Sequence, residues 1–184
     1  MKVFGLVGWS GAGKTTLMAV LLPALIRRGL TVSTIKHTHE DVDLDRPGKD
    51  SYRHRQAGAA EVLLTSSSRW TLMHELRGAP EPDLETLLHR MTPVDLVLVE
   101  GFKHLSHDKL EVHRTALGKP LLLPCDPHIV AVASDDAVSL LLLTVPVPVL
   151  PLSDATVIAD FIISHCRLRP AGLTLPASAG GIRS

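Results

Sequence analysis

The strongest chemical signal in the sequence is a glycine-rich segment at residues 8–15, which reads G-W-S-G-A-G-K-T. Gly11 and Gly13 allow the backbone to wrap an anion with its amide groups, and a helix that begins there adds a favourable dipole. Lys14 is suited to bridge terminal phosphates, and the hydroxyl of Thr15 is suited to bind Mg²⁺. The pattern therefore predicts a site for nucleotide phosphates.

A magnesium–phosphate site needs an acidic group close to the metal, and the segment D-L-V-L-V-E-G at residues 95–101 offers two. Glu100 follows the apolar run, at the carboxyl end of a predicted strand, where parallel sheets bind ligands. Asp95 precedes the run by most of a strand length. We therefore expect Glu100 to bind the metal through water or to act as a polarising base. A capping or surface carboxylate is the alternative.

The elements around these residues predict a parallel sheet. Residues 3–7 and 31–36 have the composition of strands and flank a helical stretch at residues 14–28, which makes a strand–helix–strand unit. The pattern indicates an α/β, P-loop NTPase-like three-layer fold, with a mainly parallel central sheet and helices on both faces. Further strands are predicted at residues 61–65, 69–75, 96–99, 129–133 and 147–150, and further helices at residues 50–57, 84–91 and from Ser153 or Asp154 to Cys166.

Composition favours a soluble, cytoplasmic protein. Hydrophobic residues make up 45% of the 184 positions, and the 19 basic residues balance the 19 acidic ones. No net charge therefore attracts nucleic acid or an anionic membrane. Two cysteines are too few for a disulfide framework, and the apolar run at residues 17–26 is too short to span a bilayer. Residues 1–168 are predicted to form a single nucleotide-binding domain, and residues 169–184 a disordered tail.

Two polar segments are expected to border the nucleotide edge of the sheet, at residues 37–51 and 102–111. The first follows the second predicted strand, so it starts at the same edge as residues 8–15. Its charges can orient water or metal, or neutralise phosphate. A solvated charged loop is the alternative. The candidates are Lys36, Asp43, Asp45, Lys49, Asp50, Arg53 and Arg55.

Histidines and a cysteine in the second half of the chain suggest a transition-metal site. Their spacing matches no closed four-ligand pattern, so solvated side chains on exposed loops are the alternative. The residues are His104, His107, His113, Cys125 and His128. The role of Trp9, within the glycine-rich segment, is left open between packing on that segment and contact with a partner.

Taken together, these segments resemble the molybdopterin-guanine dinucleotide biosynthesis protein B family, MobB, from about residue 2 to residue 166. The matching stretches are G-x-S-G-A-G-K-T-T at 8–16, K-H-T-H at 36–39, D-R-P-G-K-D-S-Y-R-H-R-Q-A-G-A at 45–59, R-W-T-L-M at 69–73, D-L-V-L-V-E-G-F-K-H at 95–104 and H-I-V-A-V-A-S-D at 128–135. Apart from the first, these stretches are particular to this family.

The resemblance implies a P-loop fold, a homodimer, GTP and Mg²⁺ as ligands, and weak GTP hydrolysis. It also implies a helper role beside the guanylyltransferase that joins GMP to molybdopterin, with molybdopterin itself as a further candidate partner. The residues expected to bind nucleotide are Gly8, Ser10, Gly11, Ala12, Gly13, Lys14, Thr15, Thr16, Lys36, His37, Lys49, Gly101, Ser134 and Asp135, with Gly48 a further family-specific residue. Lys14, Glu100 and Asp50 are the expected catalytic residues, and Thr15 and Glu100 the expected metal ligands.

Two features depart from a dedicated GTPase. The sequence has no N-K-x-D motif to read guanine, so Ser134 and Asp135 are assigned to the base region as a hypothesis. Without a glutamine to orient water or an arginine finger, hydrolysis should be slow, on the order of 10⁻⁴ to 10⁻² per second. Two alternatives stay open: a small-molecule kinase whose acceptor lies over residues 37–51, and a metal-insertion GTPase that uses the histidines.

Overall fold

The computed structural model describes residues 1–38, 45–102, 104–137, 139 and 145–169. The chain divides into two compact units: the first comprises Met1–His37 and the described residues from Pro93 onwards, and the second comprises the described residues of Thr38–Thr92. The predicted single domain stays a prediction. Most of the predicted disordered tail, residues 170–184, lies outside the described residues.

The elements of both units follow one another along the chain. The strands are β1 (Lys2–Val7), β2 (Val32–Lys36), β3 (Glu61–Thr65), β4 (Trp70–His74), β5 (Leu96–Glu100), β6 (Lys109–His113), β7 (Ile129–Ser134) and β8 (Val149–Pro151). The described α-helices are α1 (Lys14–Ile26), α2 (Asp50–Gln56), α3 (Leu84–His89) and α4 (Ala155–His165), and short 3₁₀ turns lie at Thr115–Leu117 and Leu123–Cys125.

In the first unit, the described strands form one parallel sheet in the order β2-β5-β1-β6-β7-β8. Parallel strands of one sheet need crossover connections, and α1 supplies the crossover from β1 to β2, which lie on either side of β5. The strands β1 and β5 are direct neighbours, with Leu6 opposite Glu100. The carboxyl ends of these two strands therefore meet at one edge.

Alternate residues of the strands pack on the helices of the first unit. Phe4, Leu98 and Leu110 lie in one buried cluster with Leu21 of α1 and Ile158 of α4. This period of two is the pattern of a strand face that covers a helical layer. Burial of each such side chain contributes about 1.5–3 kcal/mol to folding.

The structure confirms the predicted α/β, P-loop NTPase-like fold class with its mainly parallel sheet. Asp154, one of the two predicted starts of the last helix, caps that helix, because its Oδ1 accepts hydrogen bonds from the amides of Thr156 and Val157. Among the described residues, no helix is long and apolar enough to cross a membrane. Cys125 and Cys166 are both free thiols.

One strand contradicts the sequence-based assignment of residues 102–111 to a polar loop. Residues 109–111 belong to β6, which pairs with both β1 and β7. Lys109 and Glu111 are fully buried there. They fit a buried strand because each has polar partners: Lys109 Nζ donates to Asp126 Oδ2 at 2.7 Å, and Glu111 accepts from two backbone amides.

The second unit contains α2, α3 and an antiparallel hairpin of β3 and β4. The register places Leu63 opposite Leu72 and Thr65 opposite Trp70. Because side chains alternate along a strand, Leu63, Leu72 and Trp70 share one face of the hairpin. All three are exposed.

Candidate functional site

The glycine-rich loop, residues 8–15, joins β1 to α1 at the carboxyl edge of the sheet. Gly13 precedes the helix with a left-handed φ of 96°, a conformation that favours glycine. A Cβ on Gly8 would lie 2.4 Å from the carbonyl oxygen of Val112 in β6, so only glycine fits against that strand. Any other residue at Gly8 or Gly13 would therefore strain the backbone of the loop.

Lys14 turns back over the loop that precedes it. Its Nζ donates to the carbonyl oxygens of Gly8 and Trp9, at 3.0 Å each. The ammonium group thus lies inside the turn, where it can reach a phosphate bound by the loop amides. The outer side of the loop is fixed by Trp9, whose Nε1 donates to Pro120 O at 2.8 Å. Trp9 is thus bonded to another segment of its own chain, and its contact with a partner stays a hypothesis.

The predicted metal-binding pair lies together. Thr15 Oγ1 donates to Glu100 Oε1 at 3.0 Å, and Lys36 Nζ lies 4.0 Å from the same carboxylate oxygen. Glu100 is 9% exposed, whereas the side chain of Lys36 is 62% exposed. A hydroxyl and a carboxylate at this spacing fit Mg²⁺, because that ion prefers oxygen ligands. Thr15 and Glu100 are the residues that would hold it.

Asp95, the competing carboxylate, lies at the opposite end of β5. Its Oδ2 accepts from the amide of Thr31 at 2.8 Å and from the hydroxyl of Thr31 at 2.6 Å. These hydrogen bonds hold the pKa of Asp95 below its ordinary value. Asp95 therefore ties the start of β2 to β5 and is not part of the Thr15–Glu100 pair.

His37 directly follows β2, and Gly101 directly follows β5 and its last residue, Glu100. The amide of His37 donates to Glu100 O at 2.8 Å, and the ring of His37 lies 4.5 Å from that of Phe102. Gly101 has a φ of 104°, and a Cβ there would lie 2.8 Å from His37 Cβ. These predicted site residues thus pack on each other beside the carboxylate.

Ser134 and Asp135, predicted to lie near the base, stand at the end of β7. Ser134 Oγ lies 3.4 Å from His113 Nδ1 and accepts from the amide of Asp136. Asp135 Oδ1 accepts from the amide and the hydroxyl of Thr115, at 3.0 and 3.3 Å. Both side chains are therefore engaged in bonds that hold the ends of β6 and β7, and their role in reading guanine stays a prediction.

Lys49 and Asp50 belong to the second unit, where they begin α2 and are exposed. They line a groove within that unit together with Asp45, Arg46, Ser51 and Leu64. Their predicted approach to the nucleotide phosphates stays a prediction. Asp43, another candidate of the same segment, lies outside the described residues.

Two further candidates of that segment bind each other. Arg55 Nε lies 3.8 Å from Asp45 Oδ2, and Arg55 Nη1 lies 3.3 Å from Glu75 Oε1. Asp45 Oδ1 also accepts from Ser51 Oγ at 2.8 Å. These bonds join Asp45 to α2 and join α2 to Glu75, the residue that follows β4. A role of Asp45 or Arg55 beside the nucleotide stays a prediction. Arg53 is exposed on α2.

The histidines proposed as metal ligands are spread over several surroundings. Within the described parts of the chain, no group of three His, Cys, Asp or Glu side chains is placed to hold a metal ion. His104, Cys125 and His128 line one groove, whereas His113 contacts Ser134. The described residues thus give the metal-insertion alternative no support.

His107 packs its ring against the backbone of β1. A Cβ on Gly5 would lie 2.6 Å from His107 Nε2, and neither ring nitrogen has a hydrogen-bond partner among the described residues. Burial, together with the positive charge of Lys109, lowers the pKa of His107 to about 4. The ring is therefore neutral at physiological pH and fills the space against β1.

The sequence did not predict two residues in and after β6, Glu111 and Arg114, which hold neighbouring loops in place. Arg114 Nε donates to Ala12 O at 3.1 Å, from the turn that follows the strand. Glu111 accepts from the amides of Leu122 and Leu123 at 2.7 and 2.9 Å, and burial raises its pKa. The only sequence signal was the alternation of polar and apolar residues in K-L-E-V-H, which predicts a strand once the charged residues are allowed to be buried.

A parallel sheet with a glycine-rich loop after its first strand, and an acidic residue ending the neighbouring strand, defines an α/β protein of the P-loop NTPase-like class. The family model for molybdopterin guanine dinucleotide synthesis protein B matches residues 3–135. The chain belongs to this family, MobB.

Relatives and solved structures agree with that membership. The chain is 44% identical over 166 residues to the molybdopterin-guanine dinucleotide biosynthesis adapter protein of Escherichia coli, covering 89% of this chain and 92% of that protein. The adapter protein of the same description from Haemophilus influenzae is 42% identical, covering 73% and 75%. A crystal structure of molybdopterin-guanine biosynthesis protein B superposes with a TM-score of 0.68 at 26% identity, covering 89% of this chain and 99% of the other.

Proposed function

We propose that this protein is a GTP-binding adaptor that assists the biosynthesis of molybdopterin-guanine dinucleotide, with slow, Mg²⁺-dependent GTP hydrolysis. The observation that carries the proposal is the Thr15–Glu100 hydrogen bond of 3.0 Å beside the glycine-rich loop. The similarity to adapter proteins of this pathway supports the biological role. Expected partners are guanine nucleotide, the guanylyltransferase of the pathway and molybdopterin, and we expect the protein to act in the cytoplasm.

The phosphates would be bound by the amides of residues 8–15 and by Lys14, whose ammonium group already lies within the loop. Mg²⁺, held by Thr15 and Glu100, would supply positive charge against the phosphate oxygens. The carboxylate of Glu100 accepts a hydrogen bond from the hydroxyl of Thr15, which leaves the lone pairs of Thr15 Oγ1 available to bind a metal ion.

Hydrolysis should be slow because the sequence offers few groups to activate water. Gln56 is the sole glutamine of the sequence, and it ends α2 of the second unit. P-loop GTPases that have a water-orienting glutamine hydrolyse GTP without a partner at about 10⁻⁴ to 10⁻² per second, so we expect this protein not to exceed that range. Binding would therefore matter more than turnover for an adaptor.

Homodimerisation is part of the proposal, and the hairpin of the second unit is the surface that favours it. Leu63, Trp70 and Leu72 lie on one face and are 59%, 64% and 43% exposed. Within the described residues, β3 and β4 pair only with each other. An exposed apolar hairpin with open edges can pair with a second copy, because a two-fold interface needs only one self-complementary patch.

Calorimetric titration with GTP and then ATP, each with Mg²⁺, tests the nucleotide assignment. We expect preferential GTP binding that Lys14→Ala abolishes, because one charge-assisted phosphate partner is lost. The matched control is Lys2→Ala, which removes an exposed lysine at the other end of β1 and should leave affinity unchanged. Wild-type affinity in Lys14→Ala would overturn the phosphate site. Equal or better ATP binding would favour the kinase alternative.

A further inference from the structure

Arg114 joins the glycine-rich loop to the ends of β6 and β7. Its Nε donates to Ala12 O at 3.1 Å, and its Nη1 lies 3.8 Å from Asp135 Oδ2. Neither contact is used in the proposed nucleotide site, and Arg114 is absent from the motifs that predicted it. The residue follows β6 directly, so the sheet determines where its side chain begins.

The carbonyl group of Ala12 matters because of the peptide bond it belongs to. The peptide unit is planar and trans, so the direction of Ala12 C=O fixes the direction of the Gly13 N–H on the opposite side. An anion cradle needs its N–H groups directed inwards and its carbonyls directed outwards. Ala12 is 1% exposed, so a protein donor is needed to satisfy this carbonyl, and the charged guanidinium of Arg114 provides it.

Gly13 allows the guanidinium to approach this peptide. A Cβ on Gly13 would lie 3.2 Å from Arg114 Nε and 3.3 Å from Arg114 Nη2, closer than an ordinary side-chain contact. The positive φ of Gly13 already disfavours other residues. The guanidinium of Arg114 thus lies in direct contact with the Ala12–Gly13 peptide.

Asp135 restrains the other end of the guanidinium. Its Oδ1 accepts from the amide and hydroxyl of Thr115, which fixes the carboxylate on the turn that follows Arg114. An ion pair of 3.8 Å between partly exposed side chains adds little energy by itself. Its effect is to limit the orientations that Arg114 can adopt.

We propose that Arg114, oriented by Asp135, is a positioning residue that holds the Ala12–Gly13 peptide with its amide directed at the bound phosphates. The inference deepens the proposed nucleotide site and rests on it. Arg114 contacts the carbonyl end of this peptide, so its proposed effect on a ligand is transmitted through the Gly13 amide and not through direct contact with a base.

The test compares phosphate binding in Arg114 variants, with Mg²⁺·GTP and inorganic tripolyphosphate as separate probes in calorimetry. Arg114→Ala should weaken both ligands by the same factor, about tenfold or more, and Arg114→Lys should recover part of the loss. Millimolar guanidinium should restore binding to Arg114→Ala but not to Lys14→Ala. Asp135→Asn should give a smaller loss, and little further loss when added to Arg114→Ala.

Arg28 provides a matched control. It also donates to a backbone carbonyl, that of Ala24 at 2.8 Å, and pairs with an aspartate, Asp160 at 2.7 Å, but it lies at the far end of α1. Arg28→Ala should lower thermal stability and leave tripolyphosphate affinity unchanged. If Arg114→Ala behaves in the same way, its role is structural and the proposal is overturned. A loss for GTP without a loss for tripolyphosphate would also overturn it, because Arg114 would then contact the nucleoside.

The positioning role of Arg114 and the preference for guanine can be tested separately. If the wild-type protein binds tripolyphosphate but shows no preference for GTP, the guanine assignment falls while Arg114 is still tested. Hydrogen exchange of the Gly13 amide, followed by NMR without any ligand, gives a readout independent of nucleotide. Arg114→Ala should change the chemical shift and exchange rate of Gly13 more than those of residues in α4, and an unchanged Gly13 would overturn the proposal.

Discussion

Thr15 Oγ1 donates a 3.0 Å hydrogen bond to Glu100 Oε1, and this bond joins the first turn of α1 to the last residue of β5. The two residues are 85 positions apart in sequence. They meet because β1 and β5 are neighbours in register, with Leu6 opposite Glu100. The pairing of the two strands thus fixes the distance between the hydroxyl and the carboxylate.

Glu100→Gln tests what the carboxylate charge contributes. Glutamine keeps an oxygen that can accept from Thr15, but it removes the charge that would favour Mg²⁺, so we expect GTP binding to persist while hydrolysis slows about tenfold or more. Calorimetry and single-turnover phosphate release measure the two effects. Asp95→Asn, at the other end of β5, is the control and should leave hydrolysis unchanged. Unaltered hydrolysis in Glu100→Gln would assign the role to another carboxylate.

Gly101→Ala should destabilise the protein beside the same carboxylate. The new Cβ would lie 2.8 Å from His37 Cβ at a φ of 104°, and strain plus overpacking together cost about 2–4 kcal/mol. Urea unfolding measures the loss. Gly58 has a φ of 107°, and a Cβ there would meet no atom within 4 Å, so Gly58→Ala isolates the strain and should cost about 1 kcal/mol. Equal losses in the two variants would mean that the contact with His37 relaxes freely.

His107 should make the protein less stable in mild acid. Its folded pKa is about 4, below the ordinary value of 6.5, because of burial and the charge of Lys109. Between these values the unfolded chain binds the proton and the folded chain does not, so stability is fully present above pH 6.5 and falls as the pH decreases towards 4. The ring keeps some solvent access, so we expect a loss of about 1–2 kcal/mol between pH 7 and pH 4.5.

Chemical denaturation at several pH values measures this slope. His107→Gln should reduce it, because glutamine does not titrate. His54, exposed on α2, is the control, and His54→Gln should leave the slope as it is in the wild-type protein. The assignment to His107 would be wrong if its variant kept the full slope.

Trp70→Ser should weaken the proposed homodimer. It removes the most exposed large apolar side chain of the hairpin face, at 64% exposure, and a buried aromatic residue at an interface commonly contributes about 2 kcal/mol or more, a roughly thirtyfold change in the dissociation constant. Light scattering over a concentration series measures this constant. Ile26→Ser changes a 55% exposed residue at the end of α1 and should leave it unchanged. A wild-type protein that is monomeric throughout would refute the dimer.

The sequence predicted the elements whose side chains follow a simple period or whose boundaries carry a strong signal. The strand β1, the start of α1 and the buried strand β5 lie where the apolar runs and glycines indicate them. Thr15 was predicted from the glycine-rich pattern that follows β1, and Glu100 from its position at the carboxyl end of β5. Local pattern was sufficient here, since burial and chemistry pointed to the same residues.

The strand β6 was missed because its charges are satisfied by distant parts of the chain. Lys109 binds Asp126, and Glu111 binds the amides of Leu122 and Leu123, contacts that no local pattern in the sequence reveals. Arg114 was missed with it, because its position depends on that strand. Polar residues in a buried strand are read as a loop unless their partners are known.

The two tryptophans give this protein a natural optical label on each of its compact units. Trp9 belongs to the glycine-rich loop of the first unit, where its indole N–H is tied to Pro120 and Lys119 Nζ lies 5.6 Å from the ring. Trp70 lies on the exposed hairpin of the second unit. In Trp70→Phe the remaining emission reports on the loop alone, and in Trp9→Phe it reports on the hairpin alone. Fluorescence can therefore follow ligand binding and self-association as separate signals without an added dye.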